Sequence, residues 1–214
     1  MTARRPDITL YDFELSANCY KVRLLLSLLK LEYKRQSINL FPAFEHRKPE
    51  FMRINPLGQL PVLTDGNLIL RDSQAILVYL AKTYDMANRW LPQEPPLMGH
   101  VMMWLFFASS ELSAATASRL HDLLGIPTDI DAAKANARKA IRIMDDHMTR
   151  REIGGGSWFV GEQPTLADLA LFPSIALSRD FGLEHDEFAA LRRWMRRLRG
   201  LDNFIVMPGI PEFY

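Results

Sequence analysis

The sequence is poor in cysteine and has no long hydrophobic run. Its one cysteine, Cys19, leaves no partner for an internal disulfide, and the N-terminal stretch MTARRPDITLYDF is basic without the apolar core of a secretory signal. The most apolar segment, residues 101–108, is far shorter than the roughly 20 residues that span a bilayer. These absences predict a protein of the reducing cytoplasm with no membrane partner.

An excess of charge of one sign is also lacking. The chain carries 26 Lys and Arg residues against 25 Asp and Glu residues, a formal net charge of +1, so its overall charge does not indicate a nucleic-acid partner. No GxGxxG motif occurs, and the glycines at 154–156 lack the GK[ST] ending of a phosphate-binding loop. The five histidines show no paired ligand spacing and have no companion cysteines. We therefore expect neither a bound nucleotide nor a metal.

The first third of the chain alternates strand and helix patterns. ITLYDF (8–13) predicts a strand, and residues 18–30 predict a helix with apolar side chains along one face. EYKRQSINL (32–40) predicts a second strand. The opening of the chain is therefore predicted to be a βαβ unit.

A hairpin and a helix complete this first domain. In LPVLTDGNLILRDS two apolar runs flank Asp65 and Gly66, a pair typical of two-residue hairpin turns. Helical spacing then begins at Ser73, with either Asp72 or Ser73 as the capping residue. The predicted order is thus βαβ followed by ββα.

The remainder of the chain is predicted to be helical. Residues 86–95 combine polar residues with prolines and show no clear period, which indicates a linker between a first domain at 1–85 and a second at 96–214. The apolar spacing predicts one long helix over 98–124 and another over 130–148. The expected fold class is α/β plus all-α.

Two local patterns mark the later helices. Thr165 and Asp168 have the reciprocal spacing of a capping box, with Asp in place of the usual Glu or Gln. In the arginine-rich stretch 192–199 the apolar residues recur at helical spacing, so the arginines are predicted on a solvated side and not on a nucleic-acid-binding face. The apolar positions are Leu191, Trp194, Met195 and Leu198.

The segment LSANCYKVR (15–23) places three chemically capable side chains where the first strand gives way to the first helix. They are Ser16, Asn18 and Cys19. A serine in this position caps a helix or donates a hydrogen bond to a ligand, and a buried free cysteine is usually inert. The residues alone leave these roles open.

Three segments in this order resemble the glutathione S-transferase family: SANCYKVR (16–23), INPLGQLPVL (54–63) followed by LRDSQAI (70–76), and FVGEQPTLADLAL (159–171). The resemblance covers nearly the whole chain. The sequence is similar in particular to bacterial theta-like members, in which a catalytic serine lies just after the first strand. The resemblance implies a thioredoxin-like N-terminal domain, an all-helical C-terminal domain and a homodimer.

The resemblance also implies that the first domain binds the tripeptide glutathione as co-substrate. Leu60 would pair through its backbone with the cysteinyl part, and its bond to Pro61 would be cis. Asp72 would meet the γ-glutamyl amine, while Ser73 and the helix N-terminus would meet the γ-glutamyl carboxylate. The contacts to the glycine carboxylate would come from His46 and Gln59, with Lys48 or Arg47 as the alternatives in a loop of variable length.

Bound glutathione would react as a thiolate. The resemblance implies that Ser16 donates a hydrogen bond to the sulfur and that Asn18 supplies a second donor. Cys19 indicates a different mechanism, a mixed disulfide with glutathione, although many serine-type members bury a cysteine here. The expected activity is attack on a small hydrophobic electrophile. Reduction of a disulfide or peroxide by glutathione, and a non-catalytic interaction module, are the alternatives.

The second substrate would lie between the domains, against the first long helix of the helical half. The candidate residues are Tyr11, Trp104, Phe107, Glu111 and Arg119. Core packing is the alternative for Trp104 and Phe107. A spacing of eight residues would place Glu111 and Arg119 on one side of a continuous helix.

Overall fold

The computed structural model describes residues 6–210. Within this range the chain forms two compact units. The N-terminal unit contains the residues up to Met86 together with Ile205–Pro208, and the helical unit contains Ala87–Phe204 with Gly209 and Ile210. The Tyr20 hydroxyl donates to the Ile205 carbonyl at 2.6 Å and so attaches the returning segment to the N-terminal unit.

The N-terminal unit has the predicted βαβ and ββα order. Its elements are β1 (Ile8–Asp12), α1 (Ala17–Leu28), β2 (Lys34–Ser37), a 3-10 turn at Glu45–Arg47, α2 (Pro49–Met52), β3 (Val62–Asp65), β4 (Leu68–Arg71) and α3 (Ser73–Tyr84). The strand order is β2-β1-β3-β4, with β1 parallel to β2 and antiparallel to β3, and with β3 antiparallel to β4. This sheet confirms the thioredoxin-like fold class.

Strand β1 lies inside the sheet and positions the turn that follows it. Leu10 is opposite Arg35 on β2 and opposite Leu63 on β3. Burial along β1 alternates with the period of two expected of a strand, and its last residue, Asp12, is fully buried. The chain therefore leaves the sheet with a carboxylate directed into the protein interior.

The hairpin between β3 and β4 is confirmed, but the predicted turn pair is wrong by one residue. Asp65 pairs with Leu68, so the two loop residues are Gly66 and Asn67. Gly66 has a φ of 59°, which glycine adopts without strain. Asp65 belongs to β3, and its buried carboxylate accepts a hydrogen bond from the Tyr79 hydroxyl at 2.7 Å. This hydrogen bond connects the end of β3 to α3.

The helical unit confirms the all-α prediction for the second half. Its α-helices are α4 (Pro95–Ser109), α5 (Ser113–Leu124), α6 (Ile130–Ile153), α7 (Leu166–Ala176) and α8 (Ala189–Arg199). Single 3-10 turns lie at Ser178–Phe181 and His185–Glu187.

The single helix predicted over 98–124 is wrong, because α4 ends at Ser109 and α5 begins at Ser113. Serines cluster at the break, and their hydroxyls donate hydrogen bonds to backbone carbonyls. Ser109 Oγ and Ser110 Oγ donate to the Phe106 carbonyl at 3.0 and 2.9 Å. Such local bonds offer the backbone an alternative to continued helix.

The capping box at the start of α7 is confirmed. Thr165 N–H donates to Asp168 Oδ2 at 2.8 Å, and Thr165 Oγ1 accepts from Ala167 N–H at 3.3 Å. The other Asp168 oxygen accepts from Phe159 N–H at 3.1 Å and from Trp194 Nε1 at 2.8 Å. Burial raises the pKa of Asp168 while these hydrogen bonds oppose the rise. One side chain thus caps α7 and fixes α8 against it.

Helix α8 buries the apolar residues that its pattern predicts. Leu191, Trp194, Met195 and Leu198 are all buried. Arg193 and Arg197 form ion pairs with Glu152 of α6, at 2.5 and 2.9 Å. These arginines bind a neighbouring helix at the surface, which agrees with the predicted solvated side.

Candidate functional site

Ser16 lies in the turn after β1 and is the N-cap of α1. Its Oγ accepts from Cys19 N–H at 3.2 Å, and its backbone is extended, with φ −80° and ψ 119°. Unpaired N–H groups and the positive end of the helix dipole lie at this end of α1. A hydroxyl that accepts a hydrogen bond keeps its own proton for donation. The capping role is therefore confirmed, and it is compatible with donation to a ligand.

A buried ion pair holds the turn that carries Ser16. Arg23 Nη1 is 3.0 and 2.8 Å from the two oxygens of Asp12, and Arg23 Nη2 donates to the Glu14 carbonyl at 2.8 Å. Arg35 contacts the same carboxylate. This cluster was not predicted from the sequence. Strand alternation offered a signal, because it turns Asp12 inward, where a carboxylate needs a cation.

The structure brings Asn18 and Ser73 together in the N-terminal unit. Ser73 Oγ lies 3.5 Å from Asn18 Oδ1, at the outer limit of a hydrogen bond, and the same oxygen accepts from Lys21 Nζ at 2.9 Å. Burial lowers the pKa of Lys21 to about 8, and the Asp72 carboxylate opposes this effect. The turn after β1 and the start of α3 therefore meet at one place.

Asp72 is the N-cap of α3, which decides between the two capping candidates. Asp72 Oδ1 accepts from Gln74 N–H at 2.9 Å and from Ala75 N–H at 3.0 Å. Its φ of 75° lies in a region that Asp tolerates better than most residues. The side chain is exposed, and Ser73 just after it is buried. A negative charge therefore stands at the surface beside the positive end of α3.

The Leu60–Pro61 peptide bond is cis, as predicted. Leu60 packs on the buried cluster of Ile38, Phe51 and Val62. The ladder between β1 and β3 ends at the pair Tyr11 and Val62, so Leu60 lies beyond its last paired residue. A peptide backbone placed next to Leu60 would extend the sheet at this point.

The loop that contains Gln59 packs against the segment of His46. Asn55, buried and missed by the sequence analysis, donates through Nδ2 to the Gln59 carbonyl at 2.8 Å. Gly58 has a φ of 58°, and a Cβ there would lie 3.0 Å from the His46 carbonyl. Glycine is therefore required for this close approach.

The surroundings of His46 disfavour the charged form of its imidazole. Burial, aided by Arg47, lowers the pKa of His46. Its Nδ1 is buried and has no hydrogen-bond partner among residues 6–210. A neutral imidazole retains one N–H donor for an oxygen ligand.

Cys19 is placed where it cannot easily react. It is fully buried in α1, and burial, with a smaller effect of Asp12, raises the pKa of its thiol to about 12. Since the thiolate is the reactive form, Cys19 stays unreactive near neutral pH. Its position supports the packing interpretation over the mixed-disulfide interpretation.

Tyr11 lines a cleft within the N-terminal unit. The cleft has a volume of about 320 Å³, and Ile38, Lys48 and Phe51 also line it. The ring of Tyr11 meets that of Phe51 edge to face, with centroids 6.1 Å apart. Tyr11 is therefore a partly open aromatic side chain of this unit.

The second-substrate candidates of the helical unit separate into two groups. Trp104 is 5% exposed, and its ring centroid lies 4.8 Å from that of His147. Arg119 is 6% exposed, and its Nε donates to Asp180 Oδ2 at 2.6 Å. These two side chains pack inside the unit, which supports the core alternative for Trp104 and contradicts an open position for Arg119. Phe107 is half-buried and Glu111 is exposed at the break after α4.

The helix break also contradicts the expectation that Glu111 and Arg119 share one face of a continuous helix. Glu111 precedes α5, whereas Arg119 lies within α5. The interruption between Ser109 and Ser113 removes the eight-residue periodicity on which the expectation depended.

Neither a metal-binding cluster nor a membrane-spanning helix occurs within residues 6–210. In that range no group of three or more His, Cys, Asp or Glu side chains could hold a metal ion. Over the same residues, no helix has the length and apolarity needed to cross a membrane.

Two family models match the chain. Residues 10–94 match the N-terminal domain of glutathione S-transferase, and residues 127–197 match its C-terminal domain. A curated relative, glutathione S-transferase 1 of Dianthus caryophyllus, is 30% identical over 188 residues, which cover 86% of this chain and 83% of the relative.

Solved structures share the fold. A glutathione S-transferase from Pseudomonas fluorescens superposes with a TM-score of 0.84 at 27% identity and covers 94% of this chain and 98% of its own. Ure2p in complex with glutathione superposes with a TM-score of 0.85 at 24% identity, covering 94% of this chain and 97% of its own. At that identity the second likeness concerns the fold alone.

Proposed function

The chain belongs to the glutathione S-transferase family, and we propose that this enzyme activates bound glutathione as a thiolate for attack on a small hydrophobic electrophile. We further propose a serine-type mechanism similar to that of bacterial theta-like members, with Ser16 as the donor to sulfur. The observation that carries the proposal is the 3.5 Å approach of Asn18 Oδ1 and Ser73 Oγ. It joins the turn that would activate the thiol to the helix end that would bind the peptide.

Glutathione would be held at both of its ends. The exposed Asp72 carboxylate would meet the γ-glutamyl amine, and Ser73 with the first N–H groups of α3 would meet the γ-glutamyl carboxylate. Leu60 would pair with the cysteinyl backbone beyond the end of the sheet ladder. His46 and Gln59, which approach each other through Gly58, would contact the glycine carboxylate.

This placement directs the sulfur towards the start of α1. A cysteine-type thiol has a pKa of about 8.5, and lowering it by about two units requires roughly 2.7 kcal/mol of preferential thiolate stabilisation. The Ser16 hydroxyl, the Asn18 amide and the N-terminus of α1 are three sources of such stabilisation. Ser16 would donate a hydrogen bond and would not act as a nucleophile.

The same thiolate would also serve the alternative activities, reduction of a peroxide or a disulfide. A non-catalytic interaction module of the same fold is the third alternative. Two observations argue against a reductase that uses Cys19 and against an interaction module. The thiol of Cys19 is buried with a raised pKa, which disfavours a protein mixed disulfide. The peptide-binding positions are all present, which an interaction module does not need.

We also propose a cytoplasmic homodimer. Large exposed apolar side chains are candidates for the dimer contact, among them Ile69 of β4, at 54% exposure, and Phe106 of α4, at 66%. Tyr11, Phe107 and Glu111 remain the candidates for contact with the second substrate.

The proposal is tested by calorimetry with glutathione and by a substrate panel. The panel contains an aryl halide, an organic hydroperoxide and a small disulfide. Binding with conjugation of the aryl halide is the expected result. Turnover of only the hydroperoxide or the disulfide would favour the alternative enzyme, and absence of glutathione binding would favour the interaction module.

A further inference from the structure

Lys21 is a buried cation that the proposed mechanism does not yet use. It lies one turn into α1 and is 2% exposed. No carboxylate of the described residues forms an ion pair with it, and its hydrogen bond goes to Asn18 Oδ1 at 2.9 Å. Burial without a paired carboxylate is costly for an ammonium. A role beyond packing would account for its presence here.

The contact with Lys21 determines which way the Asn18 amide faces. An ammonium carries donors and no acceptor, so the amide oxygen must face it. The Nδ2 group, with its two N–H donors, is then directed away from Lys21. Ser73 Oγ lies 3.5 Å from the same oxygen but donates its one proton to Gln74 Oε1, so the Lys21 ammonium is the donor that sets this orientation. The assignment of oxygen and nitrogen therefore follows from the chemistry of the partners.

We propose that Lys21 is a positioning residue, whose ammonium fixes the Asn18 amide so that its Nδ2 donors face the sulfur of bound glutathione. This inference rests on the proposed function. Lys21 itself does not touch the substrate, and it acts through Asn18. Its charge also polarises the amide and strengthens the Nδ2 donors.

A direct role for Lys21 is the competing explanation. The Asp72 carboxylate raises the pKa of Lys21 through its charge, so the ammonium lies near the N-terminus of α3. The γ-glutamyl group would bind at that N-terminus. If Lys21 bound a carboxylate of glutathione, its loss would reduce affinity for the tripeptide. A positioning residue instead changes the pKa of the bound thiol and leaves affinity nearly unchanged.

The first experiment needs no ligand. Side-chain amide resonances of Asn18 are recorded by NMR in the parent, in Lys21→Met and in Lys21→Arg. We expect one ordered amide with slow proton exchange in the parent, a mobile amide in Lys21→Met, and recovery of order in Lys21→Arg, because arginine restores a donor without an acceptor. An equally ordered amide in Lys21→Met would overturn the proposal. This result does not depend on whether glutathione binds.

The second experiment is a double-mutant cycle on the pKa of the bound thiol, measured from thiolate absorbance. Lys21→Met should raise that pKa by about one unit and change glutathione affinity by less than about threefold. In an Asn18→Ala background the same change should add less than about 0.3 unit, because Lys21 acts through Asn18. Lys34→Met is the matched control, since it removes an exposed ammonium of β2 in the same unit.

Two results of the cycle would overturn the proposal. Equal pKa shifts from Lys21→Met in both backgrounds would mean that its charge acts on the sulfur directly. A large loss of affinity with an unchanged pKa would mean that it binds a glutathione carboxylate. An unshifted thiol pKa in the parent would contradict the proposed function instead, and the NMR experiment would then still decide whether Lys21 orders Asn18.

Discussion

Arg23 and Asp12 form an ion pair in the interior of the N-terminal unit, with side-chain exposures of 8% and 0%. One guanidinium nitrogen of Arg23 reaches both carboxylate oxygens, and another donates to the Glu14 carbonyl. The pair therefore links the end of β1, the middle of α1 and the turn between them. Ser16 is carried on that turn, so its position depends on a buried electrostatic contact.

Removal of Arg23 should leave Asp12 only partly compensated. We expect Arg23→Met to lower the free energy of unfolding by about 2 to 4 kcal/mol, as is typical of breaking a buried pair from one side. Urea denaturation measures the change. Arg35→Met is the control, because Arg35 contacts the same carboxylate from a 40% exposed position and should cost about 1 kcal/mol or less. Equal losses for the two variants would contradict this account of the turn.

Asp72 has two separable roles, capping and charge. Asp72→Asn keeps an oxygen that can cap α3 but removes the charge, and it should weaken glutathione binding by about 1 to 3 kcal/mol. Asp72→Ala should weaken binding similarly and in addition destabilise the fold by about 0.5 to 2 kcal/mol. Ser73→Ala should also lose about 1 to 3 kcal/mol of binding.

Calorimetry and thermal unfolding of the same Asp72 and Ser73 variants separate these effects. If Asp72→Asn and Ser73→Ala both bound glutathione as tightly as the parent, neither residue could be assigned to the γ-glutamyl end. Stability loss alone in Asp72→Ala would leave Asp72 as a capping residue.

Local patterns explain why much of the fold could be predicted from the sequence. The capping box of Thr165 and Asp168 involves residues three apart, and its partners are fixed by helix geometry. The cis bond at Pro61 and the cap at α3 are likewise properties of a short segment with a family resemblance.

Long-range contacts explain what the sequence could not provide. Asp65 pairs with Ile8 and Leu68 as part of β3, and its carboxylate accepts from Tyr79 of α3; turn propensities include neither contact. The break after Ser109 depends on several weak serine bonds that compete with a continuous apolar pattern. The burial of Lys21 and Arg23 was not predicted, because their partners Asn18 and Asp12 come close to them only after folding.

The cap of α7 should affect stability without affecting the glutathione site. Thr165→Ala removes the oxygen that accepts from Ala167 N–H and should lower the free energy of unfolding by about 0.5 to 2 kcal/mol. Glutathione affinity should not change, because Thr165 lies in the helical unit, whereas the residues proposed to bind glutathione lie in the N-terminal unit. Thr165→Ser should retain most of the stability. An unchanged stability in Thr165→Ala would contradict the energetic role of the cap.

Cys19 should behave as an inert core residue. Its buried thiol, with a pKa raised to about 12, should resist alkylation in the folded protein at neutral pH and react only after denaturation. Intact-mass measurement after incubation with oxidised glutathione should show no adduct, and Cys19→Ala should retain turnover. A glutathione adduct at Cys19 in the native protein, with activity lost in Cys19→Ala, would replace the serine mechanism by thiol transfer.

The most direct test of the central claim is the pKa of the glutathione thiol bound to the parent and to Ser16→Ala, measured from thiolate absorbance. Ser16→Thr is the control, since threonine keeps both the cap and the donor. The account predicts a pKa about two units below the ordinary value near 8.5 in the parent and in Ser16→Thr. It predicts a rise of about one unit or more in Ser16→Ala, with glutathione affinity little changed. The same thiol pKa in Ser16→Ala as in the parent would contradict the assignment of Ser16 as the residue that stabilises the thiolate.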